Sequence, residues 1–266
     1  MIVNDFFILA ILGIVQSLAE WLPISSSGHL ILVEKIFHDY FTWNINEKYF
    51  LFINVFFHFI TLLSLVCFIH KDLLQLFQKR RLVVLIIIAD IPAVIAGLFF
   101  RDFISNALQN ILWLGFCFFF TACVLMFAHW HQLKKKSQPV KKMDDISFLD
   151  AITIGFAQCF ALFPGVSRSA LTISSAMLRN IQGREAAMFS VLISVPLIFG
   201  AFLFELRNIE TLPAFDSFHI IFSAVICFVL SLFALRLLFH LSERYKIYLF
   251  SYYLFPLSFL LFFLNT

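Results

Sequence analysis

This chain is short of charge. Asp, Glu, Lys and Arg supply 13% of its 266 residues, against roughly 25% in an ordinary soluble domain. That deficit excludes a fold solvated by water on all sides. With 62% hydrophobic residues, the solvent left is a bilayer, and a membrane becomes the first expected partner. Glycine and proline are also scarce, eight and seven in all, so the places where they cluster carry information. Cysteine is confined to positions 67, 117, 123, 159 and 227, with no CxxC pair and no metal spacing. This excludes a disulfide framework and a zinc site, and leaves small buried hydrophobes with free thiols. A net charge of +3 is no nucleic-acid footprint, and nucleic acid is not an expected partner. The N-terminus has Asp5 and no early basic residue, so it does not read as a cleavable signal.

What the chain has in abundance is long apolar runs. Six segments read as full crossings, 49–69, 82–100, 109–130, 185–205, 217–239 and 247–265, each near the roughly 20 residues a bilayer demands. Two regions, 2–37 and 147–180, follow another plan: an apolar arm, a break with Pro, Gly and Ser, and a second arm. That second arm, at about ten apolar residues, is too short to cross alone. Each region predicts a re-entrant helix-loop-helix hairpin, whose irregular tip must be satisfied by protein or a watery cavity. The two regions also align without a gap. GIVQSLAEWLPISSS (13–27) lies over GFAQCFALFPGVSRS (155–169), matching Gly13 with Gly155, Gln16 with Gln158, Ala19 with Ala161, Ser25 with Ser167 and Ser27 with Ser169. Three crossings follow each hairpin, and an odd number inverts the second copy. The expected fold is an all-α polytopic membrane protein, with six transmembrane helices and two re-entrant hairpins in an inverted-topology repeat. It forms a single membrane domain over 1–266, with halves 1–130 and 147–266 joined by a basic linker, 131–146.

Charge sets the orientation. Thirteen Lys and Arg residues fall on one face: Lys71, Lys79, Arg80, Arg81, Lys134, Lys135, Lys136, Lys141, Lys142, Arg179, Arg184, Arg244 and Lys246. Four fall on the other, Lys35, Lys48, Arg101 and Arg207, while Arg168 and Arg236 lie in or near apolar segments. The positive-inside rule makes the richer face cytoplasmic, with both termini outside and the linker a solvated topological signal. The expected location is the bacterial cytoplasmic (inner) membrane.

The hairpin tips hold the chemistry. Gln16 and Glu20, four apart, share a helix face, and Pro23 ends or kinks that helix. Ser25, Ser26 and Ser27 then offer N-caps to a second short helix. At the other tip Pro164-Gly165 breaks the chain and Ser167-Arg168-Ser169 opens the next helix. Helix N-termini bind anions, and Arg168 adds a planar phosphate donor that stays charged. An arginine at that depth costs at least roughly 2.5–3.5 kcal/mol, so it points to function. The alternative is a plain Glu20–Arg168 clamp, which needs neither the hydroxyls nor His29.

Gln16-x-x-x-Glu20, PISSSGH (23–29) and PGVSRSALT (164–172) resemble the signature motifs of the bacitracin-resistance type undecaprenyl-diphosphate phosphatases. IIIADIPAVIAG (86–97) and GREAAMFSVLISVP (183–196) are similar to further blocks of that family, so the resemblance covers nearly the whole chain. It implies hydrolysis of a C55 polyprenyl diphosphate to the monophosphate, recycling the carrier of peptidoglycan and other envelope polymers. It further implies a divalent cation, Mg2+ or Ca2+, no organic cofactor, and allows a homodimer. By position it implies catalytic roles for Glu20, Ser26, His29 and Arg168, with Glu20 also a metal ligand. Gln16, Ser25, Ser27, Ser167, Ser169 and Thr172 become substrate-binding. The nucleophile is left open among Ser26, His29 and water. The chain departs from the pattern at Ala170-Leu171, where Gly-Ala is common, and at Ile60 in His58-Phe59-Ile60-Thr61, where Gly is usual. Asp90 falls mid-span, either paired with Arg236 or protonated, with no assigned role. His58 is intramembrane and open between lining a cavity and not. His38, His70, His129, His131, His219 and His240 sit near predicted membrane ends and need no mechanism.

Two other activities fit parts of this pattern: a lipid-phosphate transporter or flippase, and a phosphatase for another polyprenyl diphosphate. A second lipid phosphatase class shares Ser-Gly-His and Ser-Arg fragments but needs a His soon after the arginine. No His follows Arg168 until His219.

Overall fold

Backbone N–H and C=O groups cannot be left unpaired in lipid, so apolar segments of this length fold as helices. The computed structural model describes residues 5–41, 47–76, 78–100, 110–134, 140–207 and 216–263. Among them are ten α-helices: α1 Asp5–Trp21, α2 Ser26–Phe41, α3 Glu47–Leu76, α4 Arg80–Phe99, α5 Ile111–Lys134, α6 Phe148–Cys159, α7 Arg168–Leu178, α8 Gly183–Leu206, α9 Ser217–Glu243 and α10 Ser251–Phe263. Arg101, Lys135 and Lys136 of the charge tally lie outside the described residues.

Five helices, α3, α4, α5, α8 and α9, contain stretches long and apolar enough to cross a membrane. The expected sixth span, 247–265, instead begins with a 3-10 turn, Ile247–Phe250, and α10 has 13 residues. With that turn it forms one apolar helical segment among the described residues, Ile247–Phe263, shorter than the other five. The two unusual regions are each a helix, a break and a second helix: α1 and α2 about 22–25, α6 and α7 about 160–167. The second arms are 16 and 11 residues long, so the first is longer than its apolar core suggests. Its outer turns carry Glu34, Lys35, His38 and Asp39.

The packing interlocks the two halves. α1 lies on α9, and α6 lies on α4. α3 touches α8 and α9, α4 touches α8, and α5 pairs with α10. Trp21, fully buried, donates its indole N–H to Ser231 at 2.6 Å, and Ser231 in turn meets Ser64, so α1, α9 and α3 are tied at one point. The main core runs through Trp21, Phe118, Phe189 and Leu235.

One end of the molecule gathers the basic residues. Lys79 pairs with Asp144 at 2.7 Å, and Arg81 donates to the carbonyls of Asp144 and Ile146. Lys141 and Arg179 each reach Asp150 at 2.7 Å. The linker is expected as a solvated topological signal. Its described end instead pairs with the second half, Lys141 N–H to Asn180 O at 2.8 Å and Gln182 N–H to Lys141 O at 2.9 Å.

Candidate active site

The first tip is a short strained turn. Pro23 has no N–H to continue α1, and Ser25 takes a left-handed φ of 74°. Its hydroxyl accepts from the Gly28 N–H at 3.3 Å, capping α2. Its carbonyl accepts from the His29 ring Nδ1 at 2.7 Å. At the second tip Gly165 supplies a φ of 92°, which glycine adopts without steric cost. Ser167 caps α7 by accepting from the Ala170 N–H at 3.3 Å. Thr121 of α5 braces this turn, its hydroxyl 3.2 Å from both the Ser167 N–H and the Gly165 carbonyl.

The tips touch. A Cβ on Gly28 would sit 2.8 Å from the Gly165 Cα, so only glycine permits this approach. Ser169 donates to the Leu22 carbonyl across the same seam, at 3.2 Å. Beside it Arg168 Nη2 donates to Glu20 Oε1 at 3.0 Å. Glu20 Oε2 accepts from Ser26 at 2.7 Å and from Gln16 at 3.1 Å. Glu20 is 7% exposed, so its charge is sustained by these three donors. The Arg168 guanidinium carbon stands 6.0 Å from the Trp21 ring, the outer limit of a cation–π contact.

A cavity of about 300 Å³ opens onto this cluster. Its polar wall is Glu20, Ser25, Ser26 and Ser27 from the first tip, Ser167 and Arg168 from the second, and His58 and Gln158. Ala93, Leu162, Leu197, Ala201 and Phe202 supply apolar wall. The N-termini of α2 and α7 both border it, adding partial positive charge to Arg168. Such a cavity takes an anion with an apolar attachment and presents it with a hydroxyl held by a carboxylate.

The other expected site residues lie around the cavity without lining it. Gln16 is buried behind Glu20. Ser169 is spent on the seam. Thr172 turns to α8, its hydroxyl 2.6 Å from Ser190 and 2.8 Å from the Arg168 carbonyl. His29 turns to α10 and α5, its Nε2 2.8 Å from the Tyr253 hydroxyl and its ring edge-on to Phe118. His58 lines the cavity. Gln158 does too, and its amide N–H donates to Asp90 at 3.0 Å. Asp90 thus pairs with Gln158, while Arg236 is exposed. The alignment of Gln158 with Gln16 was the available signal for Gln158. Nothing local marked Tyr253.

A divalent cation fits this set in one way only. Among the described residues no three His, Cys, Asp or Glu side chains cluster, and Glu20 is the one carboxylate in the cavity wall. Mg2+ is commonly held by one or two carboxylates plus substrate phosphates, and Glu20 can serve so.

Fold and site together define a polytopic helical membrane protein with a polar, charged cavity between two broken helices. The family model described as "Bacitracin resistance protein BacA" matches residues 9–260. A protein named "Undecaprenyl-diphosphatase" from Carboxydothermus hydrogenoformans is 35% identical over 254 residues, 93% of each chain. Its namesake from Thermosipho africanus is 34% identical over 263 residues, 96% of this chain and 98% of the relative. "Undecaprenyl-diphosphatase 4" of Bacillus cereus is 33% identical over 255 residues, 94% of each. The chain belongs to the bacitracin resistance protein BacA family.

Proposed function

We propose that this protein is an undecaprenyl-diphosphate phosphatase. It hydrolyses the C55 lipid diphosphate to the monophosphate and inorganic phosphate, recycling the carrier and conferring bacitracin resistance. The observation that carries this reading is the convergence of Arg168 on Glu20 and Ser26 inside one cavity, in a chain whose relatives bear that name. In this reading α1–α2 and α6–α7 are re-entrant hairpins of an inverted repeat. Support comes from the packing, since α1 on α9 has its counterpart in α6 on α4, and α3 on α9 in α8 on α4. The basic end is cytoplasmic by the positive-inside rule, which leaves both termini outside.

The leaving group is a stable lipid monophosphate, so positioning and charge stabilisation supply most of the rate. Arg168, Ser167 and the two helix N-termini hold the terminal phosphoryl oxygens, with Ser25 and Ser27 at the rim. Ser26 attacks the terminal phosphorus while Glu20 takes its proton. The bond to the bridging oxygen breaks, and its electron pair leaves on the lipid monophosphate. Water then cleaves the phosphoserine: Glu20 returns its proton to Ser26 Oγ as that bond breaks and takes one from the attacking water. That second proton departs with inorganic phosphate as H2PO4− and leaves Glu20 a carboxylate. Glu20 would hold a divalent cation, Mg2+ or Ca2+, whose contribution would be to neutralise charge on the diphosphate.

The test is phosphate release from C55 diphosphate in detergent. Glu20→Ala is expected to lose roughly 10²–10⁴ in kcat, and Arg168→Ala roughly 10²–10³. Unchanged rates in both variants would put the site elsewhere. Labelled phosphate trapped on Ser26 supports the nucleophile, whereas wild-type turnover by Ser26→Ala assigns attack to water. Lipid transfer between leaflets of reconstituted vesicles, without phosphate release, would make the protein a transporter.

A further inference from the structure

Two imidazoles stand near the tips, and their ring nitrogens are used differently. His29 is committed to protein on both edges. Its Nδ1 faces the Ser25 carbonyl at 2.7 Å, and a carbonyl only accepts, so Nδ1 carries the hydrogen. Its Nε2 faces the Tyr253 hydroxyl at 2.8 Å, with the two rings stacked at 5.7 Å. The ring does not line the cavity.

His58 does line it, with a third of its side chain exposed. Its Nδ1 lies 2.9 Å from the Gln16 side-chain nitrogen. That nitrogen is also 3.1 Å from Glu20 Oε2. A carboxylate oxygen only accepts, so the edge of Gln16 facing it is the NH₂ group. Flipping the amide would set two acceptors against each other at that distance. The NH₂ hydrogens therefore serve Glu20 and His58, which makes Nδ1 the lone-pair nitrogen and Nε2 the N–H. The direct Nδ1 to Glu20 distance, 3.5 Å, is too long to compete. Gln16 Oε1 is left without a partner among the described residues, which is the cost of this orientation. No described group pairs with His58 Nε2.

We infer that His58, not His29, is the imidazole that touches the substrate, as an Nε2–H donor to a phosphate oxygen beside Arg168. Gln16 sets its tautomer. His29 and Tyr253 are positioning residues that hold the left-handed Ser25 turn, and through it the aim of Ser26. This rests on the phosphatase reading. His58 transfers no proton. It stabilises charge as that charge builds on the phosphoryl group, as an oxyanion donor does.

The experiment compares His58→Ala, His58→Gln, His29→Ala and His29→Asn in phosphate release from C55 diphosphate. Binding of its non-hydrolysable methylene-bridged analogue is measured alongside. His58→Ala is expected to lose roughly 10²–10³ in kcat, the usual cost of one oxyanion donor. His58→Gln keeps an N–H near the Nε2 position and is expected to recover at least about tenfold of that loss. His29→Ala is expected to lower kcat, and His29→Asn, which can still donate to the Ser25 carbonyl, to restore much of it. His58→Ala turning over like wild type, or His58→Gln no better than His58→Ala, would overturn the inference. So would His29→Asn as inactive as His29→Ala. Wild type that binds the analogue, more tightly than His58→Ala does, yet releases no phosphate would sink the phosphatase reading and leave the His58 contact standing.

Discussion

Ser25 concentrates opposing costs in one residue. A non-glycine residue in the left-handed region costs about 1–2 kcal/mol, and Ser25 sits there at φ 74°. Its hydroxyl offsets part of this by capping α2 through the Gly28 N–H, a contribution of roughly 1 kcal/mol. Ser25→Gly relieves the strain and loses the cap, so its melting temperature in detergent should stay near wild type. Ser25→Ala keeps the strain and loses the cap, so it should melt lower, by the equivalent of about 1 kcal/mol. Equal melting of the two variants would show that the turn is not strained. At this scale the sequence was most informative about residue types. Glu20, Ser26 and Arg168 announced themselves because polar groups at membrane depth are expensive.

Between elements, α6 packs backbone to backbone on α4. A Cβ on Gly155 would lie 2.3 Å from the Ala89 carbonyl oxygen, so the two backbones are in direct contact there. One turn on, Gln158 reaches Asp90. Gly155→Ala must push the helices apart and stretch that bond, with an expected cost of roughly 1–3 kcal/mol from overpacking. Phosphate release should fall with it, because α6 carries the second tip. Gly200 in α8 is the control, since a Cβ there meets nothing within 4 Å. Gly200→Ala should hold or raise the melting temperature, as alanine gains up to about 1 kcal/mol over glycine in a helix. A Gly155→Ala protein as stable as Gly200→Ala would refute the contact. Helix periodicity shows that Gly155 and Gln158 share a face. It does not show that α4 is the helix beneath it.

Across the whole molecule, Asp150 closes the basic end. It is fully buried and accepts from Lys141, Arg179 and Ser147, joining the linker to both arms of the second hairpin region. Asp150→Asn removes the shared anion. The expected loss is on the order of 2 kcal/mol, below the roughly 3–5 of a fully buried pair, because the partners are partly open to solvent. Thermal unfolding should detect it, and kcat of the protein that remains folded should be unchanged, since Asp150 lies outside the cavity wall. A fall in kcat without a fall in stability would mean that this end communicates with the site.

The membrane class, most of the apolar helices, the two chain breaks and the polar residues gathered at them were legible in the sequence. Each follows from local physics: apolar length, missing N–H groups, and the cost of burying charge. What only the tertiary structure decided is which polar groups meet. His29 carries the stronger local signal, yet its ring is turned away by Tyr253, 224 positions later. His58 sits in His58-Phe59-Ile60-Thr61, a block that left its role open, and it faces the cavity because α3 passes beside α1. Thr172 meets Ser190, and Asp90 meets Gln158. A helical repeat fixes the direction of a side chain about its own axis, but its partner is set by the packing of helices distant in the chain.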